Sequence, residues 1–141
     1  MILLDTNVVS ELMKREPETA VVAWLDEQPA ESVWITAITV MEIRYGLASL
    51  GKSRRQQALV QAFEQMVKNL IEGRIASFDA EAAGHAAAIM AERKKRGKPV
   101  EVRDTMMAGI AAASRAMLAT RNTQHFEDLS LKLANPWTER K

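Results

Sequence analysis

The chain has 141 residues, 48% hydrophobic and 26% charged, with no cysteine and a formal net charge of +1. That length suits one domain with a real core and is short for two. The lack of cysteine excludes disulfides, thiolate metal sites and a cysteine nucleophile. No apolar run approaches the roughly 20 residues of a bilayer span, and Asp5 interrupts the first apolar run too early for a signal peptide. A cytoplasmic protein with no membrane segment, built as a single domain over residues 1–141, is expected. Its near-neutral charge leaves any nucleic-acid contact to a local basic patch.

In chain order, short β-branched runs alternate with longer helical patterns, which predicts an α/β fold. Ile2 to Leu4 reads as a strand ending in Asp5, Thr6 and Asn7. Helices are expected over Asn7 to Lys14 and Thr19 to Gln28, punctuated by Pro17 and Pro29. A second strand, Val33 to Thr36, precedes a helix from Thr39 that runs through Ile43, Leu47 and Leu50 to a Gly51 cap. Leu59, Phe63, Met66 and Leu70 recur at steps of three and four, which predicts one long helix from Ser53 to Ile71, ended by Gly73. Arg74 to Ser77 reads as a third strand. Asp79 to Arg96 and Arg103 to Arg115 are Ala-rich helices, the second narrow enough to pack closely on a sheet. Met117 to Ala119 and Leu131 to Leu133 complete the strands.

On this layout four oxygen-bearing side chains fall near strand ends or helix starts: Asp5, Glu42, Asp104 and Asn122. A parallel sheet can gather such residues at its carboxyl edge, where ligands of α/β proteins collect. Hard ions such as Mg²⁺ and Mn²⁺ take oxygen ligands and need neither His nor Cys. Each residue also has a purely structural reading. Asp5 and Asp104 can be helix caps, Thr39 and Glu42 match a capping box, and Asn122 suits a turn. The basic run Arg93, Lys94, Lys95, Arg96 and Lys98 is either an RNA-backbone patch or a solvated helix end whose cations complement the dipole. Arg44 and Arg121, nearer the acids, are candidate phosphate contacts or partners for those acids. His85 and His125 are isolated and read as structural.

Met1 to Asn7, the run Ile38-Thr39-Val40-Met41-Glu42-Ile43-Arg44-Tyr45-Gly46, Asp104 heading an Ala-rich helix, Ala119-Thr120-Arg121-Asn122 with Phe126, and Asn135-Pro136-Trp137 occur in that order. Together they resemble a PIN-domain ribonuclease of the VapC toxin group, including its FitB-like branch. The resemblance implies a three-layer α/β/α sandwich with a short, mainly parallel sheet. It implies a Mg²⁺- or Mn²⁺-dependent endoribonuclease, with Asp5, Glu42 and Asp104 as catalytic acids and metal ligands. Asn122 stands where the family often has a fourth acid, which implies a weaker ligand. A cognate VapB-like antitoxin and a homodimer are implied as well. A catalytically silent binding module of the same fold and a metal-dependent DNA nuclease remain open. A receiver-like phosphotransfer domain does not suit the chain, because Asp5 has no neighbouring acid and no lysine follows Met117 to Ala119.

Overall fold

The computed structural model describes residues 1–139. Five strands, β1 (Ile2–Leu4), β2 (Val33–Thr36), β3 (Ile75–Ala76), β4 (Met117–Ala119) and β5 (Lys132–Ala134), form one sheet in the order β3-β2-β1-β4-β5. Every pairing is parallel. The chain first builds outward from β1 through β2 to β3, then returns to lay β4 on the opposite side of β1. The switch point of the sheet therefore lies between β1 and β4, and a crevice opens outside their carboxyl ends.

Period-2 alternation along β1 divides the core in two. Ile2 and Leu4 join Val33, Ile35 and Ala119 on one face, packed against α1 (Thr6–Leu12), α2 (Thr19–Asp26), α3 (Ala37–Ser49) and α4 (Arg54–Met66). Leu3 and Leu118 point the other way and meet α5 (Ala80–Lys95) and α6 (Val102–Ser114). This is the expected three-layer sandwich. Ala82 and Ala86 of α5 face Gly109 of α6 so closely that a Cβ on Gly109 would lie 2.5 Å from the Ala82 carbonyl oxygen. The small residues thus set the distance between these two helices, and α6 carries Asp104.

Several boundaries differ from the sequence reading. The third helix starts at Ala37, with Thr36 as its cap accepting the Thr39 N–H at 3.1 Å. Thr39 is consequently inside the helix, Glu42 lies in the second turn, and the expected capping box does not form. A β-branched strand ending in a hydroxyl residue can cap its own following helix, and Thr36 wins that role over Thr39. The long helix ends earlier in regular form: α4 gives way at Val67 to a π-helical segment, Val67–Ile71, before Glu72 and Gly73 turn through positive φ. β3 is trimmed to two residues, and β5 sits one residue later than Leu131 to Leu133.

Candidate active site

Asp5 is the first residue after β1, and its role as a cap and its place in the crevice coincide. One carboxylate oxygen accepts the Thr6 N–H at 2.7 Å at the start of α1. The other accepts the Thr120 hydroxyl at 2.7 Å, across the switch point from the end of β4. Thr120 is wholly buried and also accepts the Asn122 N–H and the Asn7 side-chain amide. The loops after β1 and β4 are thereby tied together around one carboxylate. Asp5 is 7% exposed, and burial pushes its carboxyl above the usual range. Repulsion from Asp104 pushes in the same direction, and the hydrogen bonds from Thr120 and Thr6 only partly offset these effects.

Glu42 reaches the same crevice from α3. Its Oε1 accepts the Thr6 hydroxyl at 2.8 Å, and its Oε2 lies 3.4 Å from the Arg103 guanidinium. Because the Thr36 cap leaves Glu42 with no capping duty, its carboxylate is free to serve the crevice. Asp104 arrives from α6 and is not a cap either. Glu101 caps that helix by accepting the Asp104 N–H at 2.7 Å. The Asp104 side chain instead meets His125 Nδ1 at 3.1 Å. Burial raises the Asp104 carboxyl first, and repulsion from Glu101 and Glu42 adds to it, against the contact with His125.

The remaining residues divide. Asn122 lies between the Thr120 turn and a short 3₁₀ segment, Thr123–His125, and its side-chain amide has no hydrogen bond among the described residues. Arg121 stays at the carboxyl edge, with its guanidinium over the Trp137 ring at 4.9 Å and its N–H donated to Asn7. Arg44 does not join the acids. Two residues beyond Glu42 on a helix is roughly half a turn, and Arg44 sits over the Phe63 ring at 5.8 Å in the groove between α3 and α4. Arg103 is the guanidinium that stands by Glu42.

An all-oxygen set of carboxylates that repel one another is chemically suited to a hard divalent cation, which would relieve the repulsion. Among the described residues, no three His, Asp or Glu side chains form a preassembled metal cage. Mg²⁺ needs less than a cage, since it keeps several waters and takes one or two carboxylates plus substrate phosphate. Asp5 and Asp104 fit that requirement.

A family model described as PIN domain matches residues 2–131. The chain belongs to the PIN-domain family. It is 42% identical over 137 residues to VapC ribonuclease Y4jK of Sinorhizobium fredii, covering 97% of this chain and 98% of the relative. It is 39% identical over 137 residues to Toxin FitB of Neisseria gonorrhoeae, covering 97% and 99%. The crystal structure of FitAcB from Neisseria gonorrhoeae matches with a TM-score of 0.89 at 39% identity, covering 99% of this chain and 100% of the solved one.

Sequence reasoning about this PIN domain missed four contributors: Thr120, Thr6, Arg103 and His125. Thr120 and Thr6 stand in the runs Ala119 to Asn122 and Met1 to Asn7, but nothing in either run marks its hydroxyl as a partner for an acid. Arg103 is adjacent to Asp104, and that adjacency was the available signal. His125 was read as structural, and nothing local to it announces Asp104, 21 positions away in the chain.

Proposed function

We propose that this chain is the ribonuclease toxin of a toxin–antitoxin pair and hydrolyses RNA phosphodiester bonds with Mg²⁺ or Mn²⁺ bound between β1 and β4. The observation that carries this reading is the arrival of Asp5, Glu42 and Asp104 from three elements at one crevice. Among the described residues no lysine or arginine neutralises Asp5 or Asp104. The names of the related chains, VapC ribonuclease and Toxin FitB, favour RNA over DNA and a toxin over a silent module. When bound, such an ion supplies Lewis acidity toward a water and neutralises charge at the scissile phosphate.

The protein's own groups do the rest. Asp5 and Asp104 would hold the cation through oxygens with lone pairs left over from Thr6, Thr120 and His125. Glu42, steadied by the Thr6 hydroxyl, orients the attacking water and accepts its proton. Asn122 contributes an uncharged carbonyl, a weaker ligand that suits holding a water. Arg103 and Arg121 are the phosphate contacts. In-line attack of the water on phosphorus breaks the P–O3′ bond, and solvent protonates the departing oxygen, leaving a 5′-phosphate and a 3′-hydroxyl.

The whole chain acts as a single domain in the cytoplasm, held inactive by a VapB-like antitoxin. No helix among the described residues is long and apolar enough to cross a membrane. A homodimer belongs to the same reading: Met41 and Tyr45 on α3 and Val102 on α6 are exposed apolar side chains on the two helices that carry Glu42 and Asp104.

The test uses the purified chain, freed of any antitoxin, with defined single-stranded RNA and DNA in Mg²⁺, Mn²⁺ or EDTA, beside an Asp5→Asn variant. RNA cleavage that EDTA and the substitution both abolish is the expected result. Equal cleavage by both proteins, or indifference to EDTA, sinks the metal-nuclease reading. RNA binding without cleavage across a broad panel favours the silent module.

A further inference from the structure

Beside Asp104 the surface opens into a cleft of about 480 Å³, inside the roughly 300–1,000 Å³ range of small-ligand sites. Its floor is fixed. The Arg93 guanidinium, 7% exposed, donates to both carboxylate oxygens of Asp128 and, at 2.6 Å, to the His125 carbonyl. Those bonds lock the end of α5 to the segment after β4. The Arg93 and Asp128 charges cancel there, so the floor attracts neither sign.

Two residues of the lining, Val100 and Gln124, offer uncommitted polar groups. Among the described residues, the Gln124 side-chain amide and the backbone N–H and carbonyl of Val100 have no hydrogen-bond partner. The His125 ring is 48% exposed beside Asp104. Lys98 Nζ pairs only loosely with Asp128, at 3.9 Å, too long for a good hydrogen bond, and is half-exposed at the end away from Asp104.

This inventory matches one flanking nucleotide of a single strand. A backbone N–H with a carbonyl, and an amide carrying both donor and acceptor, suit the edge of a base. An exposed imidazole suits its face, since unpaired RNA bases are held by stacking and by edge hydrogen bonds. Glu101 and Asp104 repel an anion at their end of the cleft, so a neutral base belongs in the middle and its outer phosphate belongs at Lys98.

We propose that this cleft seats the unpaired base next to the cut in single-stranded RNA, and that Val100 and Gln124 select which base is accepted there. The proposal rests on the ribonuclease reading above.

The experiment digests a single-stranded RNA pool of randomised sequence with the full chain, and with Lys98→Ala, Gln124→Ala and Gln124→Glu variants, and sequences the new ends. Both positions are on the surface, and thermal melting confirms that each variant folds. Wild type is expected to show a base preference at one position beside the cut. Gln124→Ala should weaken that preference by about tenfold, the scale of one lost base-edge pair. Gln124→Glu, which removes the amide donor but keeps the shape, should change the favoured base rather than erase it. Lys98→Ala should raise KM several-fold at nearly constant kcat. If all four proteins share one preference and one KM, the cleft proposal fails while the ribonuclease reading stands. If wild type cuts no RNA at all, both fail. If the substitutions leave the preference intact and weaken only antitoxin binding, the cleft belongs to the protein partner and the proposal is overturned.

Discussion

Asp5 and Asp128 are both aspartates with little exposure, and their surroundings pull them in opposite directions. Asp128 faces Arg93, and although burial pushes its carboxyl up, the hydrogen bonds and charge of that guanidinium outweigh it and leave the group below its usual range. Asp5 has hydroxyl, amide and backbone donors but no lysine or arginine partner among the described residues, and burial leaves it above its usual range. A buried acid whose charge is matched stabilises the fold that built the match. A buried acid whose charge is unmatched destabilises the fold and is available to an ion from outside. The two sites lie near each other, joined through the segment that holds His125 and Asp128, so the chain keeps an unrelieved charge beside a relieved one.

The largest effect expected from breaking this contrast is catalytic. Asp5→Asn should lower RNA cleavage by about a thousandfold or more, since ligand loss removes several kcal/mol of transition-state stabilisation. Urea unfolding of the same variant should show a stability at neutral pH no lower than wild type, because the substitution deletes a desolvated charge. An Asn variant that is both inactive and clearly destabilised would mean that the Asp5 charge is satisfied within the fold.

Arg93→Ala should do the reverse. It strands the Asp128 carboxylate and removes the bond to the His125 carbonyl, at a cost of about 3 kcal/mol, near the low end for breaking a buried pair because Lys98 remains within reach. Denaturant midpoints check this. Removing both partners in Arg93→Ala/Asp128→Ala should recover part of the loss.

Thr120→Val keeps the volume and deletes the hydroxyl that Asp5 depends on. Losing a hydrogen bond to a charged group costs about 2 kcal/mol, and cleavage should fall by roughly tenfold as Asp5 loosens. In an Asp5→Asn background the stability cost of Thr120→Val should shrink, because no carboxylate is left to strand. A cost that stays the same in both backgrounds would place the role of Thr120 in its bonds to Asn7 and Asn122.

The contrast also explains what could be read from the chain alone. β1 and Asp5 were legible because a short apolar run ending in an acid is a local pattern, whereas the return of β4 beside β1 is a pairing of segments more than a hundred residues apart that local pattern does not encode. The position of Glu42 within its helix was less legible: a first-turn place after Thr39 is expected, and the Thr36 cap puts it in the second turn of a helix starting at Ala37. Arg93 was illegible. Within the basic run it looked like one more solvated cation, and its burial depends on Asp128, 35 positions later. The match and mismatch of charge that separate Asp128 from Asp5 are long-range facts, and local spacing does not encode them.

The smallest expected effect, in pH dependence, depends on the sign of each shift. Asp128 is lowered in the folded protein, so in the window below its ordinary value of 3.8 the unfolded chain binds more protons. Its contribution is fully present above that value and is lost as pH falls through the folded one. Glu11, lowered chiefly by its hydrogen bond to Lys14, adds to the same acid limb below its ordinary 4.5. Asp5 runs the other way: its folded value is raised, so its contribution declines as pH climbs from 3.8 through the raised value. Urea midpoints measured from about pH 3 to pH 6 should therefore carry an acid-side loss from Asp128 in the wild type, set against the opposite trend from Asp5. Asp128→Asn should be less stable throughout, with a shallower acid limb that retains the Glu11 part. An acid limb as steep in Asp128→Asn as in the wild type would mean that Arg93 does not hold Asp128 ionised, and the opposition between the two aspartates would be lost.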